Sequence, residues 1–201
     1  MHGTHARYRP LAPIMLLRYF IIACWVGFAA YWIAAAASRK RTAERQTWAS
    51  RVWYLLLLVL AFALLLGAIP VDPLTRRILP PSAAVQIIAA VLCAGGLVLA
   101  IWARRAIGSN WSGIVTLKRD HELVTRGPYR YVRHPIYSAI LLMFLGTALA
   151  VARLGGFIGF VLCIASFWIK LGQEEALMTR HFPDEYAAYR ARVKALIPFV
   201  I

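Results

Sequence analysis

Acidic residues are scarce in this chain: eight Asp and Glu stand against 23 Lys and Arg in 201 residues, a formal net charge of +15. Cysteine is scarcer still. Cys24, Cys93 and Cys163 each lie inside an apolar run, so there is no disulfide framework and no zinc spacing. They read as small buried hydrophobes. The five histidines are split between His2 and His5 near the start and His121, His134 and His181 far along the chain, which disfavours a metal cluster and membrane di-iron chemistry. Internal repeats and low-complexity linkers are lacking, and no polar stretch is long enough for a separate soluble domain. A nucleophile, base and orienter triad is also missing, because His121 and His134 have no evident serine or cysteine partner. Gly155-Gly156 falls within an apolar run and is no dinucleotide fingerprint.

What is present is apolar sequence. Hydrophobic residues make up 61% of the chain and its mean hydropathy is +0.65, which together with the strong positive charge implies an integral membrane protein. Five runs free of charge, 19–37, 52–71, 83–103, 135–152 and 154–169, are each expected to span a bilayer, which requires roughly 17–25 apolar residues. The expected fold is therefore all-α, a polytopic helical bundle of about five spans forming one domain over residues 1–201. The last two runs, parted by the lone Arg153, predict a tight helical hairpin whose glycines permit close contact.

Lysine and arginine number 5 in the 38–51 loop, 7 in 104–134 and 5 from Lys170 onward, together 17 of the 23. The positive-inside rule then puts the N-terminus outside and the tail in the cytoplasm. A cleavable signal peptide ending near Ala34-Ala-Ala-Ala-Ser38 is disfavoured, because the run is long for a signal core. The basic excess is read as topology and anionic-lipid contact rather than nucleic-acid binding. Composition points to a bacterial inner membrane, and no obligate protein partner is evident.

Polar chemistry is concentrated between the spans. Residues 108–134 open with Gly108-Ser-Asn-Trp-Ser-Gly113, a turn-rich stretch, and short extended pieces are expected at 115–118 and 122–125. His134 should be held at the mouth of the fourth span by Pro135 in its first turn. The fifth helix should run on through Glu174 and Glu175 until Pro183 breaks it. Tyr186, Tyr189 and Val193 then recur at helical spacing, in an amphipathic piece lying on the membrane or capping the loop. Glu175 is expected to be a solvated neighbour, Trp111 an interface anchor, and Lys170 either a snorkelling side chain or a site residue. A pocket with imidazole, phenols, backbone amides, arginines and a carboxylate pair suits a zwitterionic or cationic small molecule. Adjacent apolar helices suit a lipidic one.

The ordered set Gly127-Pro-Tyr-Arg-Tyr-Val-Arg-His-Pro-Ile-Tyr137, preceded by His121-Glu-Leu-Val-Thr125 and followed by Glu174-Glu175-x-Leu177 and Phe182-Pro-Asp-Glu-Tyr186-x-x-Tyr189, resembles the isoprenylcysteine carboxyl methyltransferase and phospholipid methyltransferase superfamily. The likeness covers 108–198. It implies an integral-membrane enzyme that uses S-adenosyl-L-methionine, releases S-adenosyl-L-homocysteine, needs no metal and methylates a lipophilic acceptor, with a carboxylate favoured. By this resemblance His121, Glu122, Leu123, Val124, Tyr129, His134, Pro135, Ile136 and Tyr137 surround the cofactor, and Glu174 meets its amino acid end. Arg133 and Lys170 would position an anionic acceptor. Lys170 stands where the prenylcysteine enzymes carry an arginine, Ala139 where glycine follows the His-Pro-x-Tyr motif, and Pro183 where glycine follows the tail phenylalanine. A point charge at 170 cannot hold a carboxylate bidentately. Phospholipid N-methylation and small-thiol S-methylation therefore stay open. A sterol-type membrane reductase and a scaffold without turnover are the readings from other classes.

Overall fold

The computed structural model describes residues 12–36, 42–45, 48–80, 82–111, 116–118 and 123–200. Six helices dominate: α1 (Ala12–Ala35), α2 (Trp48–Leu65), α3 (Ala83–Ile107), α4 (Pro135–Val151), α5 (Leu154–His181) and α6 (Pro183–Arg192). One short antiparallel pair, β1 (Thr42–Arg45) with β2 (Thr116–Lys118), ties the loop after α1 to the loop after α3. The strand in the second loop thus pairs with the first loop, and Leu123, Val124 and Thr125 form no strand. Residues 122 and 115 of the two expected extended pieces lie outside the described residues.

Helix limits differ from the apolar runs at identifiable signals. α2 stops at Leu65, short of residue 71, because Gly67 turns the chain at φ 71° and Ala68 N–H bonds back to the Ala63 carbonyl. α3 instead passes the end of its run and carries Arg104 and Arg105 in its last turn, where cations complement the helix dipole. α5 continues as expected to His181. Pro183 then occupies the first turn of α6, where its missing N–H is harmless. α4 and α5 form the expected hairpin, joined through left-handed Ala152 and through Arg153, but of its glycines only Gly156 lies against α4, at Ala148, whereas Gly155 faces Leu74 and Gly159 faces Ala61 of α2.

Among the described residues three helices, Ile14–Ala35, Ala83–Asn110 and Leu154–His181, are long and apolar enough to cross a membrane, while the apolar stretches Arg51–Leu65 and Pro135–Val151 are shorter. Leu16, Ile33, Val59, Val91, Val98 and Val161 stand exposed on the outer faces, as lipid-facing residues do. The protein is an integral membrane protein with an all-helical core.

α3 packs on α1 and α4, α4 on α5, and α5 on α2 and α6. α1 and α2 thus lie at the two ends of a curved row, and Trp25 of α1 meets Phe62 of α2 across the concave side at 5.6 Å. Trp25 also donates from Nε1 to Thr147 Oγ1 of α4 at 2.9 Å, which fixes its ring in the hollow.

Small residues let α3 and α4 approach. A Cβ on Gly96 would lie 2.6 Å from the Ala139 carbonyl oxygen and from Met143, and one on Gly146 would lie 2.6 Å from the Ala89 carbonyl oxygen. Ala139, where the resemblance expects glycine, is accommodated because the facing residue is Gly96. Without a hydrophobic force between helices in lipid, such backbone proximity is the main source of attraction. Gly146→Val should therefore lower stability by about 1–3 kcal/mol through overpacking. Gly95→Ala, whose added methyl meets nothing within 4 Å, should be neutral or raise stability by up to ~1 kcal/mol. Thermal unfolding in detergent reads both, and equal melting temperatures for the two variants would refute the close α3–α4 seam.

Candidate functional site

The site grows from the junction of the motif loop with α4. The 3-10 turn Gly127–Arg130 begins at Gly127, φ 62°, where a Cβ would meet Ala106 at 3.2 Å. Its last residues lead to His134, which precedes Pro135 at the mouth of α4. Tyr137 follows one turn later. Its ring lies nearly parallel to that of His134, 5.5 Å away, and stacks on Phe167 of α5 at 4.7 Å. Three rings are thereby ranked from the loop into the bundle.

Phe167, Lys170, Glu174 and Leu177 share one face of α5 through spacings of three and four residues. Glu174 Oε1 accepts a hydrogen bond from the Tyr137 hydroxyl at 2.7 Å, and Glu174 Oε2 lies 3.7 Å from His134 Nδ1. Lys170 Nζ is 4.0 Å from Glu174 Oε1 and 5.3 Å from the Tyr137 ring centroid. Lys170 therefore turns inward to the site and does not snorkel away from it.

Glu175 corrects an expectation. It is 6% exposed, not solvated. Arg133 places Nη2 2.6 Å from Glu175 Oε1 and donates to the same oxygen from Nε at 2.8 Å, His134 Nε2 lies 3.2 Å from it, and Arg190 Nε approaches Oε2 at 3.4 Å. Arg133 also donates from Nη1 to the Val193 carbonyl. Backbone bonds from Arg133 N to Lys194 O at 2.8 Å and from His134 N to Ala195 O at 3.0 Å complete the clasp. The guanidinium is thus engaged with Glu175 and with the tail carbonyl, contacts that the sequence does not display. It lines the cavity as a fastener.

That cavity has a volume of about 440 Å³. Leu123, Val124, Tyr129, Arg133, His134, Ile136, Tyr137, Lys170 and Glu174, all singled out from sequence, line it. Pro135 is fully buried behind the wall and shapes the helix start without lining the cavity. His121 and Glu122 lie outside the described residues. Sequence reading missed the opposite wall, Trp25, Phe28 and Trp32 of α1 with Leu58 and Phe62 of α2. The three rings of α1 recur at positions i, i+3 and i+7, a stripe that could have flagged one functional face. Trp111 is also a wall residue and not an interface anchor: it is 9% exposed, meets Trp32 edge to face at 5.9 Å and lies under the Arg104 guanidinium at 4.8 Å.

The tail helix closes the polar end. Tyr189 donates its hydroxyl to the Tyr129 carbonyl, and Tyr186 and Tyr189 both line the cavity. α6 thus caps the loop, one of its two expected placements. Burial raises the Tyr129 phenol well above the ordinary tyrosine range, and the Glu174 charge adds to the effect. Burial pushes Tyr189 up to about 12 despite the opposing Arg133 charge. These phenols stay neutral donors at physiological pH. Chemically, the arrangement offers one carboxylate, one ammonium and stacked rings at the mouth of an apolar chamber. No group of three or more metal-ligating side chains occurs among the described residues.

Residues 85–185 match the phospholipid methyltransferase family. Curated relatives include the protein-S-isoprenylcysteine O-methyltransferase of Schizosaccharomyces pombe, 39% identical over 46% of this chain and 41% of the relative. The Arabidopsis thaliana protein-S-isoprenylcysteine O-methyltransferase B is 30% identical over 46% of this chain and 49% of that protein. The chain therefore spans less than half the length of these relatives. Among solved structures, a eukaryotic intramembrane Ras methyltransferase, isoprenylcysteine carboxyl methyltransferase, superposes with a TM-score of 0.54 at 25% identity, covering 74% of this chain and 53% of that one.

The clasp has a measurable consequence. Arg133→Met leaves the buried Glu175 carboxylate without its principal cation and should cost about 3–5 kcal/mol of stability, with faster amide exchange at 193–196. Arg133→Lys should not recover it, since an ammonium cannot span Glu175 and the tail carbonyl together. Arg190→Ala, at an exposed side chain, should cost under about 1 kcal/mol. Unchanged exchange at 193–196 in Arg133→Met, followed by mass spectrometry, would refute the clasp.

Proposed function

The chain belongs to the phospholipid methyltransferase family, and on that premise we propose that it transfers a methyl group from S-adenosylmethionine to a lipophilic acceptor, a carboxylate of the isoprenylcysteine type. The observation that carries this reading is the pairing, in one cavity, of the Glu174 carboxylate and the His134–Tyr137–Phe167 ring rank with the apolar wall of α1 and α2. The similarity to named isoprenylcysteine methyltransferases supports the acceptor class.

The residues present fit the cofactor. Glu174, beside Tyr137 and reaching into the cavity, suits an ammonium group, and the ring faces suit a sulfonium, which aromatic quadrupoles attract. When bound, S-adenosylmethionine supplies an electrophilic methyl group, transferred by in-line displacement as the carbon–sulfur bond breaks and its electron pair stays on sulfur. Glu174 accepts hydrogen bonds from the amino group, and Tyr137 holds the Glu174 carboxylate in place by its own 2.7 Å bond. His134, fixed through Nε2 to Glu175, turns Nδ1 toward Glu174 and orients that end of the site. Lys170 attracts the acceptor carboxylate as a point charge from one turn away. Trp25, Phe28, Trp32 and Phe62 exclude water and receive the acceptor's apolar chain. No proton need be removed from a carboxylate nucleophile, consistent with the missing triad.

We further place the N-terminus outside and the tail in the cytoplasm of a bacterial inner membrane, from the distribution of lysine and arginine.

Calorimetry on detergent-purified protein tests the donor half: wild type should bind S-adenosylmethionine with micromolar affinity. Glu174→Ala and His134→Ala should each weaken binding by about tenfold or more, the value of a lost charge-assisted hydrogen bond. Absence of binding by folded wild type would overturn the methyltransferase reading in favour of a reductase or scaffold. For the acceptor half, labelled methyl transfer to a farnesylated cysteine should exceed transfer to phosphatidylethanolamine or a small thiol. Lys170→Gln should raise KM for that acceptor while leaving S-adenosylmethionine affinity unchanged; a preference for phosphatidylethanolamine would reassign the acceptor to an amine.

A further inference from the structure

Asn110 ends the 3-10 turn Gly108–Asn110 that follows α3 and is 8% exposed. Its Oδ1 finds no hydrogen-bond partner among the described residues. Arg104 donates to the Gly108 carbonyl at 2.6 Å and to the Ala35 carbonyl at 2.7 Å, and its guanidinium covers the Trp111 ring. The turn is therefore held on both sides. A buried acceptor left unpaired on a fixed platform keeps its full desolvation penalty until a ligand donor arrives.

The position of that amide is specific. Asn110 stands in the wall shared by the large cavity and a second cavity of about 350 Å³, whose lining adds Gly108, Ser109, Thr125 and Arg126. Ile107, Leu123 and Val124 are common to both, so the two form adjoining lobes of one cleft. Glu174 and Lys170 belong only to the first lobe, and among the described residues no acidic side chain lines the second. A charged amino acid group belongs with Glu174. The second lobe sets Ile107, Leu123 and Val124 beside the Asn110 amide, with Ser109, Thr125 and Arg126 making the rest of its wall polar; this suits a flat heteroaromatic ring bearing an amino group, and asparagine is geometrically matched to the amino edge of adenine.

We propose that Asn110 determines base specificity: its side-chain carbonyl accepts a hydrogen bond from the exocyclic amino group of the cofactor's adenine, seated between Ile107 and the Leu123–Val124 segment. This rests on the methyltransferase reading and extends it to a residue outside the motif that carries the resemblance.

The test compares S-adenosylhomocysteine with S-inosylhomocysteine, in which a carbonyl oxygen replaces the amino group, by calorimetry on the full chain. Asn110→Leu should reduce the preference for the adenosyl compound to within about twofold of unity, and Asn110→Asp, acceptor-only and isosteric, should raise it by about tenfold, the worth of one buried hydrogen bond. Glu174→Ala serves as the contrast, weakening both compounds and leaving their ratio unchanged. Should Asn110→Leu fail to fold, the Asp variant decides: an unaltered ratio there overturns the proposal. Wild type that binds S-adenosylhomocysteine with a ratio insensitive to Asn110 refutes this inference alone. Wild type that binds neither compound removes the methyltransferase reading beneath it.

Discussion

The buried ion pair between Arg133 and Glu175 joins three segments far apart in the chain: the motif loop, the C-terminal part of α5 and the tail after α6. Neither charge would be tolerated alone where it lies, since an isolated ion loses its hydration on burial. Mutual pairing, with His134, Arg190 and the tail carbonyl taking up remaining valences, makes the position stable only when all three segments are present. His134 is oriented by the same carboxylate and is held through its backbone to Ala195. From His134 follow the stack with Tyr137, the bond from Tyr137 to Glu174, and so the shape of the cavity's polar end.

Beneath that clasp the helices supply a frame of a different kind. Contact between α3 and α4 depends on Gly96 and Gly146, and contact between α5 and α2 on Gly159, where a Cβ would fall 2.6 Å from the Ala61 carbonyl. Close backbones at these seams draw neighbouring helices together, and large side chains converge between α1, α2 and α4. Trp25, Phe62 and Phe144 meet edge to face there, the arrangement that aromatic quadrupoles prefer. A lipid-compatible chamber and a polar mouth are thus consequences of small residues at the seams and charged ones at the ends.

Much of this was legible in the chain. The α4–α5 hairpin, the extension of α5 through Glu174 and the break at Pro183 rest on local signals, a glycine-rich start, a charged helix end and a proline, each acting within a few residues. Tyr137 and Glu174 were singled out by the resemblance that their ordered motifs carry, and for Glu174 also because a carboxylate just beyond an apolar run is costly without a partner. Glu175 was misread for a clear reason: adjacent residues on a helix point about 100° apart, and which of two carboxylates faces a cavity depends on the helix's rotation against its neighbours. The partner of Arg133 was not legible either, since it lies 42 positions away. The α1 wall was visible as an aromatic stripe, yet a stripe does not say whether it faces lipid or a ligand.

Composition and periodicity determined by themselves that this is a membrane helical protein, where its polar chemistry is concentrated and which residue types are available to it. Those properties are set by solvation and by interactions within one or two helical turns. Tertiary structure alone decided which carboxylate is spent on fastening and which is presented, that Trp111 and Asn110 are walls and not surface, and that α1 and α2 enclose a chamber. The reason is geometric: these outcomes depend on helix rotation and on contacts between segments separated by tens of residues, and both arise only when the backbones pack.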